Sequence, residues 1–268
     1  MIKIIMETAK SDLAIFTEGN PSNKAIVFIH GFPYDHTMWV KQIDELKYRY
    51  YCVAYDIRGL GDSPIGDGQY TMESFVDDLE MIVHELNLLK PVLCGLSMGG
   101  YIALRAVERN ESSYSGLILC DTRSSADTDE GKIKRAENIK KINTLGVKQF
   151  VNDFVPHCFS VKSITDSNEE YTKVLNKSLN SNAIGVKGCL LAMAGRTDTT
   201  NYLSKIRIPS LLLCGEDDHL TPPDVMELMA EQILNSQFEI VPNAGHMSPI
   251  ENASFVNSKI KKFLSRIS

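Results

Sequence analysis

Short runs of apolar, often β-branched residues alternate with amphipathic stretches along most of the chain. The runs at 25–29, 51–55, 92–95, 116–120, 210–214 and 238–241 are almost continuously apolar, the pattern of parallel strands covered on both faces. Residues 71–89 instead place Phe75, Leu79, Ile82, Val83 and Leu86 on one helical stripe. Pro91 is expected to stop that helix before the next strand. Two further runs, 2–6 and 13–18, predict an antiparallel pair at one edge. The expected fold class is therefore α/β, a mostly parallel central sheet flanked by helices.

The alternation breaks between about Ser124 and Ser204, where strand patterns vanish and charged helical segments such as Ile133-Lys134-Arg135-Ala136-Glu137-Asn138-Ile139 take over. Some eighty residues without structure would be unusual inside a compact domain. The expected organisation is a core made of 1–123 and 205–268, with 124–204 inserted as a helical cap, or lid.

The strand at 92–95 runs into Gly95-Leu96-Ser97-Met98-Gly99-Gly100 and then into the helical pattern of Ile102, Ala103, Ala106 and Val107. Strand, Gly-x-Ser-x-Gly, helix is the order of a nucleophile elbow. The glycines let strand and helix approach, and the serine is expected in a strained turn at the positive end of the helix. A glycine-rich phosphate loop is the competing reading, but neither a G-x-G-x-x-G fingerprint nor a Walker lysine accompanies it.

Acyl transfer also needs two backbone N–H groups facing the developing oxyanion. Met98, after the serine, is one candidate; Phe32, in His30-Gly31-Phe32-Pro33 after the first parallel strand, is the other. Pro33 has no N–H to offer. His30 is expected to brace this loop, and Trp39 to belong to the core or a pocket wall.

A serine nucleophile needs a base, and the base an orienting carboxylate. Gly215-Glu216-Asp217-Asp218-His219 follows one strand, and Pro242-Asn243-Ala244-Gly245-His246 follows the last. Ser, Asp, His is the order expected of this arrangement. Glu216, Asp217 and Asp121 compete with Asp218 for the acid; His36, His84, His157 and His219 compete with His246, which alone lies in a loop after the last strand.

These segments, with Asp56-Ile57-Arg58-Gly59-Leu60-Gly61-Asp62-Ser63, make the sequence resemble an α/β-hydrolase-fold enzyme over nearly its whole length. The resemblance implies Ser97 as nucleophile, His246 as base and Asp218 as acid. Weaker similarity, in His30-Gly31-Phe32-Pro33 with Trp39, Asp121-Thr122-Arg123 and Thr221-Pro222-Pro223, points to the 3-oxoadipate enol-lactonase branch. The expected activity is carboxylic ester hydrolysis on a small molecule. Enol-lactone hydrolysis, cofactor-free perhydrolysis, carbon–carbon bond hydrolysis and a small-ligand receptor are the alternatives. An inward-facing Arg123 or Arg196 would favour an anionic lactone.

Composition narrows the partners. With 268 residues, 43% hydrophobic and 23% charged, the chain can bury a core of its own. A net charge of -6 supplies no basic footprint for nucleic acid or an anionic membrane. The start has too short an apolar run for a signal peptide, so a cytoplasmic location is expected. The six cysteines include four in or beside strand-like runs and form no CxxC pair, so buried thiols are expected rather than disulfides. Neither a metal nor a cofactor is expected, and monomer and homo-oligomer both stay open.

Overall fold

The computed structural model describes residues 1–6, 12–166 and 169–267. Among these, eight strands are found: β1 Ile2–Met6, β2 Leu13–Glu18, β3 Ala25–Ile29, β4 Tyr51–Tyr55, β5 Val92–Leu96, β6 Gly116–Cys120, β7 Ser210–Gly215 and β8 Ser236–Val241. They form one sheet in the order β1-β2-β4-β3-β5-β6-β7-β8. The β1–β2 and β2–β4 pairs are antiparallel and every later pair is parallel. Every residue of β3 to β7 is buried, which is why those strands read as unbroken apolar runs. Each buried Leu, Ile or Val side chain contributes about 1.5–3 kcal/mol relative to exposure.

In chain order α1 Val40–Leu46, α2 Met72–Glu85 and α3 Met98–Asn110 are crossovers of the sheet. Between β6 and β7 the described residues form α4 Asp129–Leu145, α5 Val147–Phe154, α6 Val161–Thr165, α7 Glu169–Ser178, α8 Ala183–Ala194 and α9 Thr200–Leu203, with no strand. The chain then adds α10 Pro223–Gln232, α11 Ser248–Glu251 and α12 Ala253–Leu264. Among the described residues no helix is long and apolar enough to cross a membrane. All six cysteines are buried free thiols.

Some boundaries differ from expectation; β5 and β7 each run one residue further, to Leu96 and Gly215. The helix predicted to reach Leu89 ends at Glu85. Asn87 adopts φ 50, and Leu88 N–H turns back to the Val83 carbonyl at 2.9 Å, so local turn geometry stops it before Pro91 can. The edge strand β8 starts at Ser236 rather than 238, because one free edge tolerates the polar Ser236 and Gln237. Between α11 and α12 stands Asn252 (φ -131, ψ 61), whose side chain caps α12 by accepting from Phe255 N–H.

Strand order reverses at β3, which pairs with β4 on one side and β5 on the other. Crevices at the carboxyl ends of strands, at such a reversal, are where open α/β sheets hold ligands. The loops bearing Phe32, Ser97, Asp121, Asp218 and His246 all leave that one end of the sheet.

Candidate active site

Ser97 connects β5 directly to α3 with φ 52 and ψ -112, a backbone region costly for a residue with a side chain. The flanking glycines make the turn sterically feasible: a Cβ on Gly99 would lie 2.1 Å from the Ile29 carbonyl oxygen, and one on Gly95 2.3 Å from that of Gly99. Ser97 N–H donates to the Cys120 carbonyl at 3.0 Å, tying the turn to β6. The side chain stands at the first turn of α3, where the helix dipole favours negative charge.

His30 braces the loop after β3, as expected: Nδ1 donates to the Gly31 carbonyl at 2.8 Å and Nε2 accepts from Ile57 N–H at 2.9 Å. Burial lowers its pKa, in keeping with a neutral ring in this bridge. Phe32 packs against Phe150 and Phe154 of α5, with ring centroids 6.0 and 5.7 Å away. Among the described residues neither the Phe32 nor the Met98 amide donates to a protein acceptor. Trp39 is fully buried against Phe28 and belongs to the core.

Asp218 and His246 meet. Asp218 Oδ2 lies 2.8 Å from His246 Nδ1, and Oδ1 accepts the Leu220 and Thr221 N–H groups at 2.8 and 3.0 Å. Thr221 Oγ1 donates to Asp218 Oδ2 at 2.6 Å and sits 3.1 Å from His246 Nδ1. Burial by itself would raise the Asp218 pKa; the charge and hydrogen bond of His246 and the bonds from Thr221 outweigh it and hold the carboxyl below its ordinary value.

The rivals are placed elsewhere. Glu216 and Asp217 are exposed. Asp121 is fully buried, but Oδ1 accepts from Gly215 N–H and Oδ2 is bonded to Ser248 Oγ. His36 stacks on Phe16 and bonds Asp56, while His84, His157 and His219 are exposed.

Ser97 and His246 line one cavity of about 240 Å³, together with Phe32, Thr221, Phe154 and Met193. Among the described residues no hydrogen bond joins the Ser97 hydroxyl to His246, although both line this cavity. The wall carries charge as well: Arg123, Lys134 and Arg135 border it against one carboxylate, Asp127. Arg196 lies behind this wall, buried, donating to Asp127 and stacked 4.2 Å from the Tyr101 ring centre. Lys134, Arg135 and Thr221 were not singled out from sequence as site residues; a charged helix and a Thr-Pro turn look the same whether or not a cavity lies beneath them.

Among the described residues, two buried clusters each bring three potential metal donors within 4.8 Å of one another, Asp35–His36–Asp56 and Asp121–Cys214–Asp218. Their carboxylates already accept protein hydrogen bonds, at Asp56 from His36 and at Asp121 from Gly215.

Residues 24–253 match the sequence profile of a family described as alpha/beta hydrolase fold. The chain is 29% identical over 239 residues to 3-oxoadipate enol-lactonase 1 of Acinetobacter baylyi, covering 89% of this chain and 88% of that protein. Among solved structures, a thermophilic esterase from Thermogutta terrifontis, with malate bound, superposes with a TM-score of 0.93 at 34% identity over 99% of this chain and 98% of that one. The enol-lactonase of Burkholderia xenovorans LB400 shares the fold, with a TM-score of 0.88 at 22% identity over 95% and 97% of the two chains.

Proposed function

The chain belongs to the α/β-hydrolase fold family, and from that premise we propose that it is a serine hydrolase cleaving carboxylic esters of small molecules through an acyl-enzyme. The observation that carries this reading is the 2.8 Å Asp218–His246 pair opening onto the cavity that Ser97 lines. Asp218 holds the imidazole in the tautomer with its proton on Nδ1, leaving Nε2 as base. His246 takes the hydroxyl proton of Ser97 as the oxygen attacks the ester carbonyl. The Phe32 and Met98 amides stabilise the tetrahedral oxyanion. Collapse breaks the ester C–O bond, and the alcohol leaves with the proton from His246. Water, deprotonated by the same histidine, then adds to the acyl-enzyme, and the carboxylic acid departs as the proton returns to Ser97. Helices from 124–204 act as the cap, since their Phe154 and Met193 line the same cavity as Ser97.

A panel of p-nitrophenyl esters and lactones assayed with wild type and Ser97→Ala tests the reading. Turnover that vanishes in Ser97→Ala supports it; full activity in that variant overturns it.

Lactone hydrolysis is the second reading, favoured by the three cations that face one carboxylate in the cavity wall. An enol-lactonase relative and an esterase relative holding malate are consistent with an anionic ligand. Comparing a carboxylate-bearing lactone with its neutral methyl ester separates the readings: a preference for the free carboxylate favours lactonase chemistry.

A further inference from the structure

The turn after β6, Cys120-Asp121-Thr122, contributes no member of the proposed triad, yet it is bonded to all three segments that supply one. The Cys120 carbonyl accepts Ser97 N–H at 3.0 Å, and Thr122 Oγ1 donates to the Ser97 carbonyl at 2.8 Å. Asp121 Oδ1 accepts Gly215 N–H at 2.7 Å, three residues before Asp218. Asp121 Oδ2 is bonded to Ser248 Oγ at 2.5 Å, two residues after His246. Asp121 is fully buried and holds φ 45, a conformation a non-glycine residue keeps only where its surroundings enforce it.

We propose that this turn is a positioning element that fixes the Ser97, Asp218 and His246 segments in one frame, with Asp121 as a neutral, hydrogen-bonded post rather than a second catalytic carboxylate. The proposal rests on the triad reading above.

The neutrality follows from what surrounds the side chain. Asp121 and Asp218 carboxyl oxygens lie within 4.8 Å of each other, and two carboxylates so close and so buried do not both ionise. Asp218 has His246 and three hydrogen bonds from the 220–221 segment to support its charge. Among the described residues the Asp121 carboxyl, besides Asp218, faces Gly215 N–H, Ser248 Oγ and the thiols of Cys120 and Cys214, none of them a cation. The proton therefore resides on Asp121, whose pKa burial and the Asp218 charge push well above the ordinary value. In the neutral acid the proton sits on Oδ2 and is donated to Ser248 Oγ, and an amide reproduces both bonds, accepting from Gly215 and donating to Ser248.

The test compares Asp121→Asn, Asp121→Ala, Ser248→Ala and Asp218→Asn, each assayed well below its own melting temperature. Turnover is expressed per Ser97 titrated with a fluorophosphonate, and the low-field Nδ1–H proton of His246 is followed by NMR. Asp121→Asn is expected to keep kcat within about threefold and to retain the proton, since both bonds persist. Asp121→Ala should lower kcat roughly 10- to 100-fold at nearly constant KM, as misplaced catalytic groups do, and lose that proton signal. Ser248→Ala, which leaves the Gly215 bond intact, should cost roughly three- to tenfold, the worth of one hydrogen bond. If Asp121→Ala does not fold, Ser248→Ala decides alone. Wild-type kcat in the alanine variants, with only a lower melting temperature, would overturn the positioning role. Asp121→Asn as damaged as Asp218→Asn would overturn the neutral post. Should wild type prove inert towards esters, the proposed function falls; the NMR arm still decides, and a proton unchanged in Asp121→Ala refutes the positioning role.

Discussion

Thr221 Oγ1 donates a 2.6 Å hydrogen bond to the same Asp218 oxygen that lies 2.8 Å from His246 Nδ1. One hydroxyl thus orients the proposed acid and caps the proposed acid–base pair from the side. A bond to an ionised group contributes about 1.5–3 kcal/mol. Thr221→Val is expected to lower kcat roughly tenfold or more with little change in KM, and Thr221→Ser to restore most of it. Steady-state kinetics on a short acyl ester check this; equal kcat in all three proteins would show the hydroxyl to be idle.

Opposite pH dependences are expected for the two buried aspartates. The Asp218 pKa is depressed on folding, so its contribution to stability is present above the unfolded carboxyl value, about 3.9, and is lost as pH falls through the folded value. The melting-temperature deficit of Asp218→Asn should be largest near neutrality and shrink on acidification. The Asp121 pKa is raised, so its contribution is complete below the unfolded value and is lost as pH rises towards the folded one. Asp121→Asn should therefore gain melting temperature relative to wild type as pH rises from 4 to about 8. Thermal melts from about pH 2 to 8 measure both slopes, that of Asp218→Asn below about 4 and that of Asp121→Asn above it, and parallel curves would contradict the assignment.

Gly99 permits the close crossing of α3 over β3, where a Cβ would stand 2.1 Å from a carbonyl oxygen of Ile29. Backbone cannot yield as a flexible side chain does, so Gly99→Ala is expected to cost about 3 kcal/mol or more. Urea denaturation gives the value; a loss below about 1 kcal/mol would mean that helix and strand separate easily.

Phe154 reaches over the cavity and stacks on Phe150, with ring centroids 5.4 Å apart. Phe154→Ala should open space beside Ser97 and shift the kcat/KM preference towards longer acyl chains. An unchanged acyl-length profile would place chain-length selection elsewhere.

The cationic wall predicts a charge effect that salt can weaken. Lys134 is exposed, borders the cavity and, among the described residues, pairs with Glu137 at 3.3 Å. Lys134→Met is expected to raise KM for a carboxylate-bearing ester several-fold at low ionic strength, with little effect on its neutral analogue. Equal KM changes for both would remove charge as the reason.

Much of this protein is written in short-range pattern. Unbroken apolar runs mark strands buried on both faces, and the elbow is legible because a strand, a helix and two glycines must adjoin wherever a backbone turns so tightly. The chain order of Ser97, Asp218 and His246 could likewise be read along one dimension. Where a side chain points could not. Asp121 and Asp218 follow neighbouring strands and are both fully or almost fully buried; only tertiary structure turned one to His246 and the other to Gly215 and Ser248. The end of α2 at Glu85 depended on a left-handed Asn87, and Thr221, Lys134 and Arg135 joined the site through segments far apart in sequence. Periodicity reports which face of an element is buried, because burial repeats with the element. A hydrogen bond or a cavity wall depends on distances between segments whose separation along the chain carries no such signal, so those were decided by the fold.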